Sequence, residues 1–168
     1  ITYSFYPVFA NLFHIDYNLV HLNKDFTLPV DEFLKDNGGI IFPNPNAPTG
    51  IYINTDCIKR ILDYNTKKAV IIDEAYIDFG GSSVIPLIHK YPNLIVIQTL
   101  SKSRSLAGMR VGFAIAQKAA IQALNSIKNS FNSYTINRIS MAAAIETFDD
   151  KDYFKTNCNK IISTREYT

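Results

Sequence analysis

The sequence predicts an α/β fold in which helices flank a mostly parallel sheet. Three short apolar runs have the composition of buried parallel strands. They are Ile40–Phe42, Ala69–Asp73 and Leu94–Thr99. Stretches with helical spacing lie between these runs, and such alternation is typical of units that pair parallel strands through crossover connections.

The segment before the first buried run carries three weaker patterns. Apolar residues recur at helical spacing over Tyr3–His14, and Pro7 suits the first turn of a helix. Asp16–Leu22 has the pattern of a strand, and Pro29–Leu34 that of a short helix. We therefore expect one strand and two helices ahead of Ile40.

The later elements follow the same alternation. Thr55 is a candidate cap for a helix that runs to Tyr64, and a second helical pattern covers Ser83–Lys90. Val111–Ala116 is a further apolar strand. Three helices complete the predicted fold, at Gln117 to about Lys128, Ile136–Phe148 and Asp152–Tyr167.

Composition excludes several classes of protein. The chain of 168 residues is 47% hydrophobic, which excludes a disordered protein, and its net charge of +2 favours neither nucleic acid nor an anionic membrane as a partner. No apolar run approaches the roughly 20 residues that cross a bilayer. Cys57, Cys158 and the three histidines lack metal-ligand spacing, so we expect no metal and reduced thiols in a cytoplasmic protein.

Chemically reactive side chains follow the buried runs. Asn44 and Asn46 come after the first run, Asp73 ends the second, and Lys102 follows the third. Ligands of open parallel sheets bind at the carboxyl ends of the strands. The sequence therefore predicts a binding site that these residues share.

Lys102 is the residue that says most about the chemistry. A lysine at the exit of a buried strand is placed to lose solvation, which frees its amine as a nucleophile. The hydroxyl of Ser101 and the planar guanidinium of Arg110 suit a phosphate group. A reactive amine beside a phosphate anchor predicts pyridoxal phosphate as cofactor, although a solvated loop lysine is the alternative interpretation.

Asp73 and Tyr76 are candidates for contacts with the ring of such a cofactor. A carboxylate at the end of an apolar strand is costly unless a donor or a cation meets it. A protonated pyridine nitrogen is such a partner, and the Tyr76 phenol is close enough in sequence to reach the same ring. The alternative is that Asp73 caps the turn that follows the strand.

Two further segments offer contacts to a flat cofactor. The loop from Phe42 to Gly50 is fixed by prolines, so it holds the amide of Asn46 at little ordering cost, although it is also typical of an ordinary turn. Tyr3 offers an aromatic ring for stacking, with core packing as the alternative. Arg104 has no assigned partner, and we expect it to be solvated or to lie at the rim of the site.

Three motifs in register resemble the fold-type-I, class I/II pyridoxal-phosphate aminotransferases. They are Asn46-Ala-Pro-Thr-Gly50, Asp73-Glu-Ala-Tyr76 and the run Thr99-Leu-Ser-Lys…Ala-Gly-Met-Arg110. The likeness extends from Tyr3 to at least Met141. It implies that residues 1–168 form most of a cofactor-binding large domain, with the small domain and an N-terminal segment lying outside.

The resemblance also implies a role for each matching residue. Lys102 would form the Schiff base with the cofactor and move the substrate proton, while Ser101 and Arg110 would bind the phosphate. Asp73 would pair with the pyridine nitrogen, Tyr76 would bond the ring oxygen and Tyr3 would stack on the ring. Ser103 is a weaker candidate for the phosphate.

One position departs from the family pattern. The family often carries Asn directly before Pro-Thr-Gly, where it bonds the ring oxygen, and Ala47 stands there in this chain. Asn46 would replace that asparagine after a small backbone shift, or Tyr76 would act alone.

The activity implied by the resemblance is transfer of an amino group from glutamate to imidazole acetol phosphate. The product is L-histidinol phosphate, an intermediate of histidine biosynthesis, and the enzyme would be a homodimer. Threonine-phosphate decarboxylase, other class I/II aminotransferases and a non-catalytic, pyridoxal-phosphate-sensing regulator domain are the alternatives.

Overall fold

A four-stranded sheet forms the centre of the protein in a computed structural model that describes residues 1–167. The strands are β1 (Ile40–Pro43), β2 (Val70–Asp73), β3 (Leu94–Thr99) and β4 (Gly112–Ala116), and they lie in this order across the sheet. The first three are parallel, and β4 runs antiparallel to β3. The predicted mostly parallel α/β fold is therefore confirmed.

Five α-helices accompany the sheet in the described part of the chain. They are α1 (Phe5–Leu12), α2 (Thr55–Tyr64), α3 (Lys118–Phe131), α4 (Arg138–Asp149) and α5 (Lys151–Arg165). Short 3-10 helices occupy Val30–Phe33, Ile77–Phe79, Ile85–His89 and Ala107–Met109. Within residues 1–167, no helix combines the length and apolar character needed to cross a membrane.

Helix α2 covers one face of the sheet because its apolar residues recur at helical spacing. Ile58, Ile61 and Leu62 are completely buried and pack against strand residues such as Val70 and Leu94, which are also completely buried. Burying an aliphatic side chain of this size contributes about 1.5–3 kcal/mol. This packing fixes the strands whose ends carry the reactive residues.

The cap of α2 differs from the predicted one. The side chain of Asn54 accepts a hydrogen bond of 2.9 Å from the backbone N–H of Cys57, so Asn54 is the cap and Thr55 is the first helical residue. Both side chains are suited to capping, and the backbone of Asn54 is the extended one that this position requires.

One prediction for the local structure is wrong, and two helices differ in type and length from those predicted. Asp16–Leu22 forms no strand, because no neighbouring strand accepts its backbone hydrogen bonds, and its residues Tyr17–Leu19 are exposed. The helices expected at Pro29–Leu34 and Ser83–Lys90 are instead the short 3-10 helices at Val30–Phe33 and Ile85–His89. The first turn of an α-helix is costly to form, and segments as short as 29–34 and 83–90 offer few hydrogen bonds to offset that cost.

A buried carboxylate joins the ends of β2 and β3. Glu74 is 1% exposed, and its carboxylate accepts hydrogen bonds from the Ser83 hydroxyl at 2.7 Å and the Val84 backbone N–H at 2.7 Å. The Gln98 side-chain amide on β3 donates a third, at 2.8 Å. These bonds hold the loop that follows Asp73 against the neighbouring strand.

Replacing Glu74 with alanine is expected to lower the free energy of unfolding by about 3 kcal/mol. The reason is that Glu74→Ala leaves three buried or half-buried donors without their acceptor. Urea unfolding of the full-length protein measures the effect. Glu146→Ala, at an exposed position of α4, is the control and should change stability by less than about 0.5 kcal/mol; equal effects of the two changes would contradict the structural role of Glu74.

Candidate active site

The topology of the sheet places the candidate residues at one edge. Strands β1 to β3 are parallel, so the segments that follow them leave the sheet on the same side. Strand β4 is antiparallel, and Gly112 at its start pairs with Thr99 at the end of β3. Asp73 at the end of β2, Lys102 after β3 and Arg110 before β4 therefore lie at the same edge, as the sequence predicts.

Lys102 lies in a tight loop that carries it to the surface. Its backbone carbonyl accepts a hydrogen bond of 3.0 Å from the N–H of Ser105, and the N–H of Leu106 closes the loop by bonding the Leu100 carbonyl at 2.9 Å. The side chain is exposed, and its Nζ lies 5.1 Å from the centre of the Tyr76 ring. The expected loss of solvation is therefore not found, because the loop extends beyond the end of β3.

The position of Lys102 over Tyr76 joins two of the predicted site residues. A lysine within about 6 Å of an aromatic ring is attracted by the negative face of that ring. Among residues 1–167, no side chain or carbonyl forms a hydrogen bond with Lys102 Nζ. The amine is consequently accessible for reaction with a ligand at this edge of the sheet.

Asp73 is met by a residue that the sequence interpretation missed. The Tyr6 hydroxyl on α1 donates a hydrogen bond of 2.7 Å to Asp73 Oδ2. Burial, and then the charge of Asp73, raise the pKa of Tyr6 above its ordinary value, so the phenol stays a protonated donor. The N–H of Ala75 donates to Asp73 Oδ1 at 3.0 Å, so Asp73 also caps the turn after β2.

The aromatic residues near the amino end bring Tyr3 towards this carboxylate. The Tyr3 ring meets the Tyr6 ring edge to face at 5.5 Å and stacks on Phe5 at 5.8 Å. Tyr3 is exposed, so one of its faces is open to a ligand. Tyr3 lies just before α1 and Tyr6 in its first turn, so the contact between their rings depends on how the chain enters the helix.

Ser101 and Arg110 lie at opposite ends of the lysine loop. The Ser101 hydroxyl accepts a hydrogen bond of 3.0 Å from the Thr99 hydroxyl, which itself accepts from the Ser101 N–H at 3.1 Å. Arg110 is exposed and donates through Nη1 to the Ala107 carbonyl at 2.9 Å. Both side chains retain further hydrogen-bonding capacity.

Asn46 is engaged in its own loop. Its amide donates to the Thr49 hydroxyl at 2.9 Å and to the Ile1 carbonyl at 3.3 Å. The neighbouring Asn44 pairs its side chain with the Ile53 backbone in both directions, at 2.9 and 3.1 Å. The amide of Asn46 therefore stabilises the proline-rich loop and does not contact Asp73, Tyr76 or Lys102.

Two residues beside Lys102 differ from their predicted surroundings. Ser103 is buried and its hydroxyl donates to the carboxylate of Asp78, so it is already occupied rather than free for a phosphate. Arg104, to which the sequence assigns no partner, is half-buried: its guanidinium lies 3.6 Å from the centre of the Phe154 ring and donates to the Thr147 carbonyl at 2.7 Å. These partners lie far along the chain, where no local pattern points to them.

Comparison with known proteins identifies the family. The family model described as Aminotransferase class I and II matches residues 1–168. The chain belongs to the class I and II aminotransferases. A histidinol-phosphate aminotransferase of Clostridium botulinum is 60% identical to this aminotransferase chain over 168 residues, which are 100% of the chain and 48% of that protein. The chain thus spans about half the length of the curated relatives it matches.

Solved structures agree with the fold of this aminotransferase chain. The histidinol-phosphate aminotransferase from Clostridium acetobutylicum has a TM-score of 0.86 at 28% identity, over 94% of this chain and 49% of its own. The one from Sinorhizobium meliloti, solved in complex with pyridoxal-5'-phosphate, has a TM-score of 0.89 at 24% identity. That match covers 98% of this chain and 46% of the other, and it concerns the fold alone.

The arrangement at the sheet edge has a definite chemical capacity. An accessible amine (Lys102) stands beside a phenol (Tyr76), a carboxylate follows the adjacent strand (Asp73), and a hydroxyl and a guanidinium flank the amine in sequence. Such a set binds a ring that carries an electrophilic carbon, a basic nitrogen and an anionic group. In this aminotransferase chain the edge is an open surface, since Tyr3, Lys102 and Arg110 are all exposed.

Proposed function

We propose that the full-length protein is a pyridoxal-phosphate-dependent aminotransferase. It would transfer an amino group between glutamate and imidazole acetol phosphate, giving L-histidinol phosphate in histidine biosynthesis. The observation that carries the proposal is the accessible Lys102 amine over the Tyr76 ring, at the sheet edge that also holds Asp73. The 60% identity to a histidinol-phosphate aminotransferase supports the choice of substrate.

The residues at the edge fit this cofactor in the chemistry of their donors and acceptors. Each oxygen of Asp73 accepts one hydrogen bond, from Tyr6 or from Ala75, and so keeps a lone pair for a protonated ring nitrogen. Ser101 and Arg110 would hold the phosphate. Tyr76 would donate to the ring oxygen, and Tyr3 would stack on the ring through its exposed face.

The side chains of this chain would then divide the work of amino transfer. Bound pyridoxal phosphate supplies an electron sink for the pair of electrons released at the substrate α-carbon. Lys102 would hold the cofactor through its amine and, once released, would move the proton at the α-carbon as base and acid. Asp73 would keep the ring nitrogen protonated, and the Tyr6 hydroxyl would orient the carboxylate for that contact.

We also propose that residues 1–168 form most of a cofactor-binding large domain. The share of the relatives' length that the chain covers supports this, since other residues of a full-length protein would supply the small domain and an N-terminal segment. A homodimer in the cytoplasm is the corresponding expectation for the whole protein. The apolar side chains that α1 exposes, among them Phe5, Phe9 and Leu12, support a protein partner there.

Reductive trapping tests the cofactor assignment. The full-length protein is incubated with pyridoxal phosphate, reduced with borohydride and mapped by peptide mass spectrometry. We expect a single modified residue, Lys102, because its amine lies beside groups that bind the ring and the phosphate. Lys128 is also exposed but lies on α3, so it serves as an internal control; labelling spread evenly over Lys128 and other surface lysines would contradict the site.

Substrate assays separate the activities that share this cofactor. With L-histidinol phosphate as the amine donor, we expect the enzyme to convert 2-oxoglutarate into glutamate. With imidazole acetol phosphate as the acceptor, we expect it to convert glutamate into 2-oxoglutarate. Release of carbon dioxide from threonine phosphate would instead assign a decarboxylase. Cofactor binding on Lys102 with no turnover of any amine donor would favour a sensor domain.

A further inference from the structure

The position of the Lys102 amine depends on its backbone. The side chain has four rotatable bonds, and its contact with the described residues is the face of the Tyr76 ring at 5.1 Å. A contact of this kind restricts direction weakly compared with a hydrogen bond. Whatever holds the loop in place therefore sets where the amine can reach.

Ser103, directly after Lys102, is the residue that holds this loop. It is 3% exposed, and its hydroxyl donates to Oδ2 of Asp78, which lies in the 3-10 helix Ile77–Phe79. That helix begins directly after Tyr76. The hydrogen bond thus joins the segment that carries Lys102 to the segment that carries Tyr76 and Asp73, over a separation of 25 residues.

The hydrogen bond between Ser103 and Asp78 is strong enough to hold the two segments together. A hydroxyl that donates to a carboxylate forms a charge-assisted hydrogen bond, which is shorter and stronger than one between neutral groups. The Ser103 side chain is sealed from solvent, so water does not compete readily for the donor. Arg104 adds a second attachment of the same loop, to the Thr147 carbonyl and the Phe154 ring.

We propose that the Ser103–Asp78 hydrogen bond is a positioning contact for the reaction, setting the distance between Lys102 and the Asp73–Tyr76 segment. The inference rests on the proposed function, since it concerns how the amine meets a cofactor held by Asp73 and Tyr76. Neither Ser103 nor Asp78 touches the cofactor in this arrangement. Both act through the backbone of the residues beside them.

A pair of matched serine substitutions in the full-length protein tests the contact. Ser103→Ala removes the bonded hydroxyl, whereas Ser105→Ala removes a hydroxyl of the same loop that bonds nothing among the described residues. The rate at which borohydride fixes pyridoxal phosphate on Lys102 is measured together with kcat, KM and Tm. We expect Ser103→Ala to slow trapping and kcat by about tenfold, while Ser105→Ala stays within about twofold of the wild type.

Substitutions of Asp78 complete a thermodynamic cycle. Asp78→Asn keeps an oxygen that accepts from Ser103 and should retain most of the trapping rate, whereas Asp78→Ala should match Ser103→Ala. Combining Asp78→Ala with Ser103→Ala should add less than about twofold, because both changes remove the same bond. A full additional loss in the double variant would overturn the proposal.

The outcomes separate this inference from the function on which it rests. A wild-type protein that is not trapped on Lys102 at all would refute the cofactor assignment itself. A wild-type protein that is trapped normally, with Ser103→Ala lowering Tm but leaving trapping rate and kcat unchanged, would refute only the positioning role. If Ser103→Ala fails to fold, Asp78→Ala takes its place in the comparison. Asp78 is exposed, so its replacement should disturb the fold less.

Discussion

Transamination by the full-length protein is expected to fall by at least about a thousandfold when Lys102 is replaced with alanine. The change removes the amine that would hold the cofactor and move the proton at the substrate α-carbon. The side chain is exposed, so the folded structure should be preserved. Steady-state kcat with L-histidinol phosphate and 2-oxoglutarate measures the loss, and Tm confirms the fold.

Two variants serve as controls for Lys102→Ala. One tests the loss of positive charge at position 102, and the other tests the loss of a lysine elsewhere on the surface. Lys102→Arg keeps a positive charge over the Tyr76 ring but lacks a nucleophilic amine, so it should be as inactive as the alanine variant. Lys128→Ala, on the exposed face of α3, should leave kcat unchanged. Turnover by Lys102→Ala near the wild-type rate would show that another residue performs the chemistry.

Asp73→Asn is expected to lower kcat by about a hundredfold or more, the second largest effect in this site. Asparagine has nearly the same shape as aspartate, and its oxygen still accepts from Tyr6 or Ala75. What it lacks is the negative charge that would keep a ring nitrogen protonated. The measurement is kcat for amino transfer, alongside the absorption spectrum of the bound cofactor.

Tyr6→Phe separates the charge of Asp73 from its orientation. It removes the 2.7 Å hydrogen bond to Asp73 Oδ2 but leaves the carboxylate and the aromatic packing with Tyr3. We expect a loss of about threefold to tenfold, the usual value of one hydrogen bond. A loss as large as that of Asp73→Asn would mean that the phenol, rather than the charge, is the essential partner.

Much of the local architecture could be read from the sequence because its causes are local. The apolar runs at Ile40–Phe42, Ala69–Asp73 and Leu94–Thr99 became strands, and the helical spacing of Ile58, Ile61 and Leu62 became the buried face of α2. The segment Asp16–Leu22 has an equally strand-like pattern but no neighbour to bond. A strand depends on its partner, so composition alone did not suffice there.

The sequence likewise predicted some features of the candidate site and not others. Placement of Asp73 and Lys102 at the ends of buried strands follows from strand order, and the three motifs in register indicated the family that the comparisons then confirmed. Asn46 was chosen by its residue type, yet its amide is taken up by Thr49 and Ile1. Residue type shows what a side chain is able to bind, and only its neighbours show what it does bind.

The sequence by itself determined the α/β class, the buried strands and the reactive residues at their ends, because these depend on residue types close together in the chain. Tertiary structure alone decided the contacts of Tyr6 with Asp73, Ser103 with Asp78 and Arg104 with Phe154. In these three pairs, the two residues are separated in the chain by 67, 25 and about 50 positions respectively. Contacts at such separations arise from how the strands and helices pack, so no periodicity or spacing within one segment encodes them.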